Sequence, residues 1–128
     1  MDNATLPITA TAGAAYEMDR RVKLVEEPNH RLTQISMSGD QRSPWHVHTH
    51  VEDLFYITEG VLRIRMHNPP ETREIEAGES FSIQAGRPHF IEVADKKTVS
   101  FLLIQGLGPC DFKVLDPQDF PTHDGIES

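Results

Sequence analysis

The chain has 128 residues, of which 38% are hydrophobic, and a formal net charge of −8. That is the length of one ordinary domain, long enough to bury a core and too short for two. The negative balance argues against nucleic acid, because phosphate binding needs a surface rich in Lys and Arg, and against an anionic membrane surface for the same reason.

From the N-terminus, MDNATLPITATAG has neither a basic start nor a continuous apolar stretch, so no signal peptide is expected. Residues 1–20 read as an arm or edge strand able to dock on a partner. Residues 21–115 carry the domain, and their dominant pattern has period two. Thr33, Ile35 and Met37 alternate with Gln34, Ser36 and Ser38, the signature of a strand with one buried face. If the polar face lines a cavity, Gln34 and Ser36 are candidate substrate contacts. Ser38-Gly39-Asp40 then reads as a turn.

Three of the seven histidines follow in Trp45-His46-Val47-His48-Thr49-His50. On a strand His46 and His48 share a face, with Cα atoms about 6.6 Å apart. Imidazoles at that separation can lean onto one ion at bond lengths of about 2.1 Å. A helical arrangement of the zinc-protease kind is excluded, because Val47 stands where the catalytic Glu belongs and Pro44, Val47, Thr49 and Val51 disfavour helix. The bland alternative is a set of hydrogen-bonded histidines on an edge strand. Glu52 and Asp53 come next, on opposite faces of a further strand. Asp53 shares its face with Phe55 and Ile57, so it is the acid expected to point inward. A strand antiparallel to the histidine strand would bring it to the same ion.

Beyond Glu59-Gly60, Leu62, Ile64 and Met66 alternate with Arg63, Arg65 and His67; the arginines read as a solvated outer face. Asn68-Pro69-Pro70, Ala77-Gly78 and Ala85-Gly86-Arg87-Pro88 are further turn signals. Val99, Phe101 and Leu103 form another alternating set, and Leu102 and Ile104 suggest burial on both faces. Cys110 is the lone cysteine. It allows no internal disulfide, fits a reducing compartment, and has nothing nearby in sequence to activate it. Residues 116–128, with two prolines in DPQDFPTHDGIES, read as a tail. Short strands separated by turns every 8–12 residues or so indicate an all-β sandwich or barrel of about eight to ten strands. No apolar run approaches membrane-spanning length. A cytoplasmic single domain is expected.

The segment His46-x-His48-x4-Asp53-x6-Gly60 resembles the first motif of the cupins, and Gly78-x5-Gln84-x-Gly86-x2-His89 resembles the second. The resemblance, to small single-domain cupins, covers about residues 30–106 and implies a double-stranded β-helix (jelly-roll) barrel. It makes His46, His48 and His89 imidazole ligands and residue 53 the carboxylate ligand of one divalent transition metal. Departures are Asp53 where Glu is usual, with Glu52 beside it as a substitute, Gln84 for Pro, and Val93 for Asn. Three imidazoles and a carboxylate suit Fe, Mn, Ni, Co or Zn, and the lack of thiolate argues against Cu(I). The resemblance also places His50 at the barrel mouth, where it or Glu52 would move protons. Small cupins pair into homodimers through an outer sheet face, often exchanging an N-terminal strand; the Leu54/Tyr56 face is compatible, and Trp45 and Tyr56 would pack such a layer. The implied activity is that of a metal-dependent enzyme on a small organic molecule, with dioxygenase-like chemistry favoured over isomerase, decarboxylase or lyase chemistry and over non-catalytic binding.

Overall fold

The computed structural model describes residues 16–116. Ten strands lie among them: β1 Arg20–Glu27, β2 His30–Ser38, β3 His46–Val47, β4 Glu52–Glu59, β5 Val61–Met66, β6 Glu71–Glu76, β7 Ser80–Ile83, β8 His89–Val93, β9 Thr98–Gly106 and β10 Lys113–Val114. They form two five-stranded sheets, ordered β1-β2-β9-β4-β7 and β10-β3-β8-β5-β6, and every pairing is antiparallel. The turn signals read from the sequence fall between these strands.

The period-two pattern explains the packing. Ile35 and Met37 on β2, Phe55 and Ile57 on β4, Leu62 and Ile64 on β5, and Val99 and Phe101 on β9 all point between the sheets and are buried. Each such side chain contributes about 1.5–3 kcal/mol relative to leaving it exposed. At the β4–β5 turn, Gly60 adopts φ +79°, and a Cβ there would run into the carbonyl oxygen of Thr98. Only glycine fits that corner.

Arg63 and Arg65 do face outward, but they are not merely solvated. Arg63 Nε meets Glu74 Oε2 at 3.0 Å, and both Arg63 Nη1 and Arg65 Nε reach Glu92 Oε2, at 3.2 and 3.0 Å. This ion-pair ladder crosses β6, β5 and β8 in register. The expectation for β9 needs correcting: its outer face is uncovered among the described residues, leaving Leu102 half-buried and Ile104 36% exposed. Of the expected arm, the last residues are described, and Met18 is buried in the core. Residues 1–15 and the tail from 117 lie outside the described residues.

Candidate metal centre

Three imidazoles come from one sheet. His46 on β3 is paired in register with His89 at the start of β8. His48 is two residues beyond His46 and so returns to the same face; their ring centroids are 5.0 Å apart. All three are buried, and one ring nitrogen from each lies within 4.8 Å of the others. Asp53, 2% exposed, faces them from β4 in the opposite sheet. It therefore arrives across the barrel interior rather than from a strand paired with β3, as the sequence had suggested. The pleat also decides between the two acids: Asp53 points inward and Glu52 is exposed.

Backbone carbonyls fix the imidazole orientations. His46 Nδ1 donates to Pro44 O and His89 Nδ1 to Arg87 O, each at 2.9 Å, and His48 Nδ1 donates to Asp111 O. With hydrogen on Nδ1, each Nε2 presents a bare lone pair to the interior, the tautomer a metal requires. His48 Nε2 and His89 Nε2 lie 3.2 and 3.4 Å from the same oxygen, Asp53 Oδ2. His89 Nε2 is nonetheless buried without a hydrogen-bond partner. A lone pair facing a carboxylate oxygen is repulsive unless a cation stands between them. Two bonds of about 2.1 Å meeting at about 90–110° set their donor atoms about 3.0–3.4 Å apart, which matches both distances. The residues fit a metal ion.

Electrostatics prepares these groups. Burial, reinforced by neighbouring His89, pushes His46 down to about 3 and keeps it neutral. In the metal-free chain burial opposes charge on His48, but the adjacent Asp53 carboxylate prevails and holds it above the usual histidine range, with a proton that a bound cation would displace. For Asp53, burial is likewise outweighed by the two adjacent imidazoles of His48 and His89, and its carboxyl stays below the usual range.

The segment before β10 supplies residues that no sequence motif marks. Phe112 stacks on His46 with centroids 4.3 Å apart and meets His48 edge-on at 5.6 Å. Asp111 accepts from Thr49 N at 2.8 Å and from Thr49 Oγ1 at 2.5 Å, fastening the segment beside the histidines. Gln105 on β9 donates to Asp53 Oδ1 at 3.0 Å. An inward glutamine in an apolar strand was the one signal available for it.

His46, His48 and Asp53 give onto a cavity of about 260 Å³, also lined by Tyr16, Cys110 and Phe112. Burial raises the hydroxyl pKa of Tyr16 and the thiol pKa of Cys110, so both stay protonated near neutrality. Other expectations are corrected here. His50 and Glu52 are exposed and are not among the cavity-lining residues, because one follows β3 in a bend and the other begins the outward register of β4. Gln34 and Ser36 occupy the outer face of β2, where Gln34 Nε2 donates to Ser36 Oγ at 3.1 Å and Ser36 meets Ser100 Oγ at 2.8 Å. The cavity face of β2 carries Thr33 and Ile35 instead.

A family model for the Cupin domain matches residues 33–105. Solved structures share the fold at low identity. An uncharacterized conserved Klebsiella pneumoniae protein with a double-stranded β-helix domain is 16% identical, covers 80% of this chain and 86% of its own, and has a TM-score of 0.66. The polyketide cyclase RemF from Streptomyces resistomycificus is 22% identical over 80% and 74%, with a TM-score of 0.68. A cupin-2 domain-containing protein from Shewanella frigidimarina is 20% identical over 70% and 82%, with a TM-score of 0.59. No curated protein matches the chain. With its two facing antiparallel sheets and the Cupin domain match spanning both histidine motifs, the chain belongs to the cupin family.

Proposed function

We propose that the protein is a metal-dependent enzyme acting on a small organic molecule, with dioxygenase-like oxidation as its favoured chemistry. The observation that carries this is the convergence of three Nδ1-tethered imidazoles and Asp53 beside a cavity, with His89 Nε2 buried and lacking a hydrogen-bond partner. His46, His48, His89 and Asp53 would hold one divalent ion (Fe, Mn, Ni, Co or Zn). When bound, that ion supplies open coordination positions and positive charge for oxygen and an oxygen-bearing substrate.

The chain's own residues do the rest. Gln105 fixes the Asp53 carboxylate through Oδ1 and so aims Oδ2 at the imidazoles. Phe112 shields two imidazoles from water. Asp111 holds that shield in place through Thr49. Protonated Tyr16, at the cavity wall, is a better placed proton donor than exposed His50 or Glu52.

The test is metal analysis of the purified protein, then oxygen uptake with catechols, flavonols and diketones in the presence of each metal. Uptake with at least one substrate is expected. None with any metal would eliminate dioxygenase chemistry.

We also propose a cytoplasmic homodimer, formed through the outer face of the β1-β2-β9-β4-β7 sheet. Support comes from Tyr56 and Ile104, 41% and 36% exposed, and from the register that places Tyr56 beside Leu102 and Leu54 beside Ile104. Sedimentation should give a dimer that Ile104→Glu converts to monomer; a monomeric wild-type chain would refute the pairing.

A further inference from the structure

The cavity beside the imidazoles collects positive charge, although the chain carries a net −8. Arg21, Lys23 and Arg31 all line it. Cross-strand register fixes their position. Arg31 is opposite Gln105, which is opposite Asp53, so one row crosses β2, β9 and β4. At about 4.8 Å per strand, the backbones of Arg31 and Asp53 are about 10 Å apart. Lys23 stands beside Thr33 and Arg21 beside Ile35, both on the β1 edge of the same wall. Cations therefore occupy one end of the chamber and the imidazole-facing carboxylate the other.

Acidic neighbours do not account for these cations. Lys23 meets Glu26 at 3.3 Å, but that pair is 44% and 47% exposed and worth little. No ion pair among the described residues involves Arg21 or Arg31. Asp111, which also lines the cavity, is engaged by Thr49, and Asp53 by Gln105 and the imidazoles. Arg31 Nε is buried with no hydrogen-bond partner. A guanidinium nitrogen removed from water without an acceptor costs free energy that a bound anion would recover.

We propose that the substrate is a small organic carboxylate. Arg31 and Arg21 grip its acid group, Lys23 adds charge at the rim, and its body lies along Thr33, Leu103 and Phe55 toward the imidazoles. The planar fork of arginine suits a carboxylate better than a neutral oxygen. The volume of about 260 Å³ falls just below the ~300–1,000 Å³ of drug-sized sites, which limits the molecule to a short body. This assignment rests on the proposed metal-dependent function only for what happens at the far end of the molecule.

The experiment is calorimetric titration of the purified protein with small hydroxy-, oxo- and aryl-carboxylates, each beside its primary amide, with bound metal measured on the same samples. At least one carboxylate should bind, and its amide about tenfold or more weakly. Arg31→Gln should weaken that carboxylate by about ten- to a hundredfold at unchanged metal content, with partial recovery in Arg31→Lys. If Arg31→Gln fails to fold, Arg21→Gln is read in its place against the same criteria. Equal binding of carboxylate and amide, an unaffected arginine variant, or no binding by any carboxylate of the panel would overturn the assignment. Arginine-dependent carboxylate binding in protein that retains no metal would leave the anion cleft standing and refute the metal centre.

Discussion

Gln105 Nε2 donates to Asp53 Oδ1 at 3.0 Å, and this bond leaves Oδ2 as the oxygen that faces both His48 and His89. The shorter acid of this chain, Asp rather than Glu, thus reaches the imidazoles with a neighbouring strand holding its free oxygen. Gln105→Leu keeps the shape and removes the donor. Metal affinity should fall by about 10–100-fold, the usual cost of losing a partner that orients a ligand. Competition with a chelator of known affinity measures this; an unchanged constant would mean that Asp53 is oriented by something else.

His48→Ala should lose most bound metal and remain folded. The imidazole is not part of the apolar core, and its deletion removes one hydrogen bond to Asp111 O, worth about 0.5–1.5 kcal/mol. Elemental analysis alongside circular dichroism separates the two effects. Full metal content in the variant would exclude His48 as a ligand.

The pH dependence of the metal-free chain has a defined sign. His46 titrates at about 3 when folded against 6.5 when free. As pH falls below about 6.5 the unfolded chain takes up this proton and the folded chain does not, so stability declines toward pH 3. Across that window the other two shifts contribute little change. His48 is raised, so its stabilisation is already complete below 6.5; Asp53 is lowered, so its stabilisation persists until the pH falls below 3.8. The stability difference between wild type and His46→Asn should therefore change with pH by up to about 1.4 kcal/mol per unit between pH 6 and 4. Urea titrations at several pH values measure it, and a flat difference would refute burial of a neutral His46.

Gly60→Ala should destabilise the fold by more than the roughly 1–2 kcal/mol that left-handed backbone costs an L-residue, because the added Cβ also meets the Thr98 carbonyl. Gly39→Ala is the comparison: it shares a positive φ, at 62°, but has nothing within 4 Å of an added Cβ. Equal losses in thermal unfolding would show that the close approach at Gly60 is absent.

Much of the fold was legible because alternation encodes it. Leu62, Ile64 and Met66 point inward for the same reason that Arg63 and Arg65 point outward, and the turn signals fall between consecutive strands. The imidazole set was legible from two spaced motifs, and Asp53 was separable from Glu52 by the face it shares with Phe55. Gln34 and Ser36 were misplaced because alternation gives two faces without saying which one is inside; the apolar Ile35 and Met37 claim the interior, leaving the polar pair outside. Glu52 sits next to Asp53, and a pleated strand turns such neighbours away from each other; His50 keeps the spacing of His46 and His48, but the chain leaves β3 in a bend and carries it to the surface.

The all-β class, the His46/His48 pair and the inward acid were legible from local periodicity and residue chemistry, and His89 only through the resemblance of its segment to the second cupin motif. Everything set by strand order emerged from the folded chain alone. It brought Asp53 across the interior instead of along a paired strand, set Gln105 between Arg31 and Asp53, laid Phe112 over His46, and gathered Arg21, Lys23 and Arg31 on one wall. Those contacts join residues distant in the chain, and no short-range pattern specifies which strands become neighbours.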